Sequence, residues 1–281
     1  MSYSRITAVE YHKDPAPQPS LSSSLTKVLL RESPYKAWYS HPRLNPHYRM
    51  DTDGKFDLGT AAHAVLLEDD ASRIVVVKAD DWRSKAAKEA RDAANAAGKT
   101  PLLEEQHDRV QAMVGVAKRF LTDCEITEYW NEGESELTAI WQEDDIWLRC
   151  RFDRLAKNRR CIIDYKSTKD ASPDVFSRQI VRMGYHWQEA FYRRALRNVE
   201  GRDAPFVFLA QSEEPPYECS LHGCDAALQE IADADVERAV QTWRECIATG
   251  KWPTYDNRIH WTVPTQWQMR DHETRLQMEE A

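Results

Sequence analysis

Apolar residues recur along this chain at two spacings, and the switch between them marks where helices give way to strands. Between residues 104 and 121, Val110, Met113, Val114, Ala117, Phe120 and Leu121 fall at the three- and four-residue intervals of one helical face. Residues 58–68 (LGTAAHAVLLE) repeat that spacing, and the Ala-rich, charged stretch 85–97 reads as an exposed helix. The period then shortens. Residues 136–142, 146–153 and 161–166 are β-branched or aromatic runs separated by Glu-Asp-Asp and Lys-Asn-Arg-Arg turns, and predict three consecutive strands. Further on, 176–198 predicts one long amphipathic helix, 204–211 (APFVFLAQ) a buried strand and 217–221 a shorter one. Residues 225–249 form a helix stopped at Gly250.

The ends and the early connections are less regular. Residues 1–20, with DPAPQPS, read as an extended lead-in. A serine of the 22–24 run caps a helix through 26–30, and Ser33-Pro34 ends it. Residues 41–57 predict an irregular loop and 72–77 a short strand; 266–281 read as a tail. The expected fold is α/β (α+β): one domain over 21–265 with a central mixed sheet flanked by helices.

Composition narrows the class. Six cysteines, at 124, 150, 161, 219, 224 and 246, form no CxxC pair, which argues against disulfides, zinc and an iron–sulfur cluster. No apolar run approaches the ~20 residues of a membrane span, and the first residues lack an apolar signal core, so a cytoplasmic protein is expected. No Gly-x-x-x-x-Gly-Lys-[Ser/Thr] loop is present, so no ATP chemistry is expected. The net charge of −8 hides an uneven distribution: residues 149–197 carry 13 Lys/Arg against 5 Asp/Glu. That basic zone suits a nucleic acid, and equally a solvated protein face.

Candidate chemistry lies inside the strands. Alternation puts Asp164 and Lys166 on one face, roughly 7 Å apart. If 146–153 and 161–166 form a hairpin with its tip at Asn158-Arg159, Asp153 lies opposite Asp164; a longer loop would shift this register. Two carboxylates on one face suit a hard divalent cation, and a lysine two residues on can offset charge on a phosphate. The Asp-x-Lys triplet alone means little. With 23 Asp and 13 Lys, roughly one is expected by chance, and Asp53-Gly54-Lys55 is a second.

Several blocks in order carry more weight. They are Leu58-Gly-Thr-Ala-Ala-His63, Glu136 opening a strand, Arg149-Cys-Arg-Phe-Asp153 with Ile163-Asp164-Tyr165-Lys166-Ser-Thr, and Tyr185-His-Trp-Gln188-Glu-Ala-Phe-Tyr192. Over about residues 20–260 the chain resembles the PD-(D/E)xK nucleases, specifically RecE-type (exodeoxyribonuclease VIII-like) recombination exonucleases of phages and prophages. The resemblance implies that His63, Asp153, Asp164 and the Tyr165 carbonyl bind Mg²⁺ (or Mn²⁺), with Glu136 nearby. It makes Lys166 the catalytic lysine and matches Gln188 and Tyr192 to a Gln-x-x-x-Tyr motif. It further implies 5′-to-3′ digestion of linear double-stranded DNA, a single-strand annealing partner and a homo-oligomeric ring.

Other residues carry competing readings. Ser22 and Ser24 either cap their helix or bind a terminal phosphate. Trp141, Trp187 and Trp243 read as core, Trp38, Trp82 and Trp130 as candidates for stacking on bases, and His186 as structural. The rival functions are a structure-specific or repair endonuclease and a catalytically silent DNA-binding module on the same scaffold.

Overall fold

The computed structural model describes residues 2–49, 58–68 and 74–279. Its described strands are β1 (Ser2–Ser4), β2 (Ser20–Ser22), β3 (Ile74–Val77), β4 (Thr100–Leu103), β5 (Gly133–Glu143), β6 (Ile146–Ala156), β7 (Ile162–Thr168), β8 (Phe206–Ser212) and β9 (Cys219–His222). The described helices are α1 (Ala8–His12), α2 (Ser23–Arg31), α3 (Pro34–Tyr39), α4 (Leu58–Glu68), α5 (Lys85–Ala96), α6 (Glu104–Phe120), α7 (Thr127–Asn131), α8 (Pro173–Met183), α9 (Tyr185–Glu200), α10 (Ala226–Thr249) and α11 (Gln266–Glu279).

The main sheet runs β1-β5-β6-β7-β8-β9, with β2 also paired to β6; β3 and β4 form a separate pair. Neighbours in the main sheet are antiparallel except β7–β8 and β2–β6. Both faces are covered, so the central strands are apolar on both sides. Leu25, Phe176, Phe191, Val236 and Trp243 bring α2, α8, α9 and α10 onto one face against Leu148, Phe152 and Phe208. On the other, Leu66 of α4 with Val110 and Met113 of α6 pack over Ile163, Tyr165 and Leu209. This is the mixed, helix-flanked sheet that the periodicities predict, and the α6 stripe is buried as expected.

Three expectations change. Residues 2–22 are not an extended lead-in: β1 pairs with β5, and β2 with β6. A buried carboxylate fastens this segment. Asp14 accepts from the Ser20 amide (2.9 Å) and hydroxyl (2.6 Å), and lies 3.0 Å from Arg149 Nη1. Short polar strands of this kind have no period of their own, because their hydrogen bonds and burial come from β5 and β6. Residues 266–279 form a helix rather than an irregular tail, but bury no side chain.

The predicted helix 176–198 is two helices. Gly184, at φ +66°, closes α8 by donating to Ile180 O and Val181 O, and α9 starts at the next residue. One glycine inside an apolar-periodic run is compatible with an unbroken helix, so spacing could not reveal the break. A Cβ there would stand 2.6 Å from Trp187 Cε3, on top of the left-handed penalty of about 1–2 kcal/mol. Gly184→Ala is therefore expected to lower the Tm by several degrees in a thermal melt. An unchanged Tm would show that this turn tolerates a side chain.

The strand expected over 72–77 is described as β3 from residue 74. Residues 72–73, the Asp53-Gly54-Lys55 triplet and the loop beyond residue 49 lie outside the described residues. No described helix is long and apolar enough to cross a membrane.

Candidate active site and metal centre

Strand register assembles the acidic residues. Ser135↔Arg154 and Leu137↔Phe152 bracket Glu136 opposite Asp153. Arg154↔Ile163 and Leu155↔Ile162 set the β6–β7 register, whose next row is Asp153 opposite Asp164. This is the register of a hairpin with its tip at Asn158-Arg159. Three carboxylates thus occupy one row of three adjacent strands. Regular β6–β7 pairing stops at that row, and the Tyr165 amide donates to Asp153 Oδ2 instead (3.0 Å). A strand residue's C=O points to the same side as its N–H, so the Tyr165 carbonyl also faces this gap. Glu136 sits at φ +57°, a left-handed conformation costly for a residue with a side chain and concentrated at functional positions.

Each helix layer adds a candidate ligand or a clamp. From α4, His63 Nε2 lies 3.2 Å from Asp153 Oδ2, and His63 Nδ1 3.7 Å from Glu136 Oε1. Ligand atoms of His63, Glu136 and Asp153 fall within 4.8 Å of one another. Arg151 Nε holds the other Glu136 oxygen at 2.5 Å. From α9, on the opposite face, Gln188 Nε2 donates to Asp164 Oδ1 (2.6 Å) while Lys166 Nζ pairs with Asp164 Oδ2. The sequence reading named His63, Asp153, Asp164 and the Tyr165 carbonyl as metal ligands, with Glu136 nearby. The structure brings His63, Glu136 and Asp153 together, and engages Asp164 with Lys166 and Gln188. Tyr192 is buried edge-on to Phe152 and Phe206.

The electrostatics follow from this crowding. Burial pulls the His63 imidazolium pKa down, but Asp153, then Glu136 and Asp164, more than offset it and raise it to about 9. Burial also acts on Asp153, yet the facing His63 charge brings that carboxyl below its usual range. Asp164 goes the other way. Full burial, reinforced by the Asp153 charge, pushes it up to about 6 even with Lys166 alongside. Lys166 is raised, because Asp164 and Asp153 outweigh the burial that would lower it.

The donor chemistry fits a divalent cation. Carboxylate oxygens suit Mg²⁺ and Mn²⁺, and one imidazole is acceptable to Mn²⁺ especially. In the cation-free protein both His63 ring nitrogens face carboxylates, an arrangement satisfied by a proton or by a metal in its place. All six cysteines are free.

A cavity of about 900 Å³ opens over this centre, lined by Glu136, Asp153, Lys166, Gln188 and Tyr192 together with Ser24 and Lys27. Of the two serines, Ser22 caps α2 through Leu25 N (3.4 Å), whereas Ser24 faces the cavity. Trp141 and Trp243 are buried core as expected, Trp187 packs against that core, and buried His186 lies 3.3 Å from Ile180 O. Trp38, Trp82 and Trp130 rest against Tyr35, Arg91 and Arg154, and none lines the cavity. Part of the basic zone is internal to the protein: Arg149, Arg151, Arg159, Arg193, Arg194 and Arg197 have carboxylate partners, whereas Lys157, Arg160, Lys169, Arg178 and Arg182 are exposed.

Sequence reasoning missed Arg151, Tyr185 and Lys27. Arg151 shares the alternation of Asp153, Tyr185 stands inside the Gln188 block, and Lys27 follows Ser24 by one helical turn. Those signals were present but not selective.

A family model described as "PDDEXK-like domain of unknown function (DUF3799)" matches residues 22–261. No curated protein matches the chain. Among solved structures, one described as "Putative exonuclease" from Eubacterium rectale superposes with a TM-score of 0.60 at 12% identity, covering 93% of this chain and 97% of that one. A second, SSO0001, aligns over 72% of this chain and 98% of its own at 10% identity, with a TM-score of 0.28.

Proposed function

This chain belongs to the PDDEXK-like DUF3799 family, and on that premise we propose that it is a metal-dependent nuclease degrading linear double-stranded DNA from its ends. The observation that carries the reading is the meeting of His63, Glu136 and Asp153 beside the Asp164–Lys166 pair in one open cavity. The fold shared with the Eubacterium rectale structure supports it. The 5′-to-3′ direction, a homo-oligomeric ring and an annealing partner extend the proposal through the RecE-type resemblance.

His63, Glu136 and Asp153 would hold the cation, with Asp164 next in the row. When bound, Mg²⁺ or Mn²⁺ supplies Lewis acidity to a phosphate and lowers the pKa of water. The chain's own groups do the rest. Lys166 presents its ammonium where a phosphate gains negative charge during attack. Gln188 fixes the orientation of Asp164, and Asp164 in turn fixes Lys166. Tyr165 orients Asp153 through its amide.

The deciding experiment compares a linear duplex with a covalently closed circle, in Mg²⁺, in Mn²⁺ and in EDTA. Metal-dependent loss of the linear DNA alone is expected. Cutting of the circle would replace this reading with an endonuclease, and cutting of neither with a binding module.

His63 supplies a pH prediction. Its raised pKa keeps the cation-free site protonated at pH 7, so metal must displace that proton. Affinity for Mn²⁺ is expected to rise about tenfold per pH unit up to about pH 9, with release of about one proton. Calorimetry in two buffers of different ionisation heat measures the proton. Heats independent of buffer would mean that His63 is not a ligand. In His63→Gln the pH dependence should flatten.

A further inference from the structure

Lys27 differs from the other partly buried cations of this protein. On α2 it lies one turn beyond Ser23 and Ser24, and all three line the cavity that holds Asp153 and Lys166. Its ammonium stands 5.0 Å from the centre of the Tyr185 ring, and that of Lys166 5.1 Å from the same ring, so the two are no more than 10.1 Å apart. No carboxylate among the described residues forms an ion pair with Lys27, whereas Arg149 and Arg151 of β6 and the arginines of α9 have acidic partners, and Arg154 donates to Trp130 O and Ser135 Oγ. Burial, and then the nearby Lys166 charge, pull its pKa down to about 8. A half-buried cation facing a second cation costs the folded state energy that the Asp164 charge and the Tyr185 ring only partly return. An anion arriving from outside would return it.

We propose that Lys27, with the Ser24 hydroxyl and the Tyr185 ring beside it, forms a subsite for a second phosphate group of the strand being cut. It is one step along the backbone from the phosphate at Lys166. The inference rests on the nuclease reading and deepens it. The phosphate is either a terminal monoester or an internal diester; both present the same oxygen anions to an ammonium. A terminal phosphate there would make the site end-dependent, whereas a diester would only set strand register. The Tyr185 ring lies about 5 Å from both ammonium groups, so both charges stay near the strand.

The test measures binding of a fluorescent duplex in Ca²⁺ as a function of NaCl, for wild type, Lys27→Met and Lys27→Arg. Each protein is titrated with a 5′-phosphorylated and a 5′-hydroxyl duplex. Lys27→Met is expected to weaken binding about tenfold and reduce the salt slope by about one, with Lys27→Arg restoring most of both. Its DNA-free Tm should be unchanged or higher, which a structural role for Lys27 does not predict. Loss confined to the phosphorylated duplex assigns a terminal phosphate; equal loss on both assigns an internal diester. If wild type cuts DNA while Lys27→Met binds with undiminished affinity and slope, the subsite is overturned alone. A lower Tm in Lys27→Met, unrescued by Arg, also overturns it. Wild-type protein that neither binds nor cuts either duplex overturns the nuclease reading, and the subsite with it.

Discussion

Asp153→Asn is expected to remove at least about a thousandfold of turnover, about 4 kcal/mol of transition-state stabilisation, together with most metal affinity. Asp153 is the hub of the row. It faces His63, lies opposite both Glu136 and Asp164, and accepts the Tyr165 amide. Asparagine has the same shape and keeps an oxygen for that amide, so β6 and β7 should retain their spacing. What disappears is the charge. His63 loses its strongest carboxylate neighbour and Asp164 its repelling one, so their pKa values should move down together. Calorimetric Mn²⁺ titration and linear-duplex cleavage check this outcome, with a melt to confirm folding. Near wild-type metal binding, or activity within tenfold of wild type, would move the metal centre away from Asp153.

Lys166→Met is expected to separate metal binding from chemistry. The proposed ligands His63, Glu136 and Asp153 remain grouped, so Mn²⁺ should still bind. Turnover should fall about 10²–10³-fold, the usual cost of losing one well-aimed positive group, about 2.7–4 kcal/mol. A second consequence concerns stability. Asp164 already sits at about 6, and without Lys166 it is a buried carboxylate deprived of its cation. A carboxyl whose folded pKa lies above its unfolded value stabilises the fold at low pH. That contribution is lost as pH rises through the folded pKa. The metal-free variant should therefore melt higher at pH 5 than at pH 8, by a wider margin than wild type. Cleavage near the wild-type rate would end the role assigned to Lys166.

Much of the fold could be read along the chain. The α6 stripe, the alternation in β5, β6 and β7 and the short apolar strand β8 are patterns of consecutive residues, and consecutive residues set both period and burial. The turn at Asn158-Arg159 even fixes which residue of β6 opposes Asp164, because hairpin register follows from loop length. Other features had no local signature. Residues 2–4 and 20–22 become strands because β5 and β6 offer edges to pair with. The break at Gly184 is a single left-handed residue inside a continuous apolar pattern.

The candidate site divides along the same line. Asp153, Asp164 and Lys166 belong to two strands joined by one turn, so sequence spacing brought them together. His63 meets Glu136 across roughly seventy positions of chain, and only the packing of α4 against the sheet decides that encounter. Gln188 reaches Asp164 because α9 lies on the opposite face, and Lys27 faces Tyr185 because α2 packs beside α9. By itself the sequence determined the periodic helices and strands of the core and placed Asp153, Asp164 and Lys166 on two consecutive strands. The tertiary structure decided which side chains from separate layers share one cavity, because that depends on how whole faces bury apolar surface against one another.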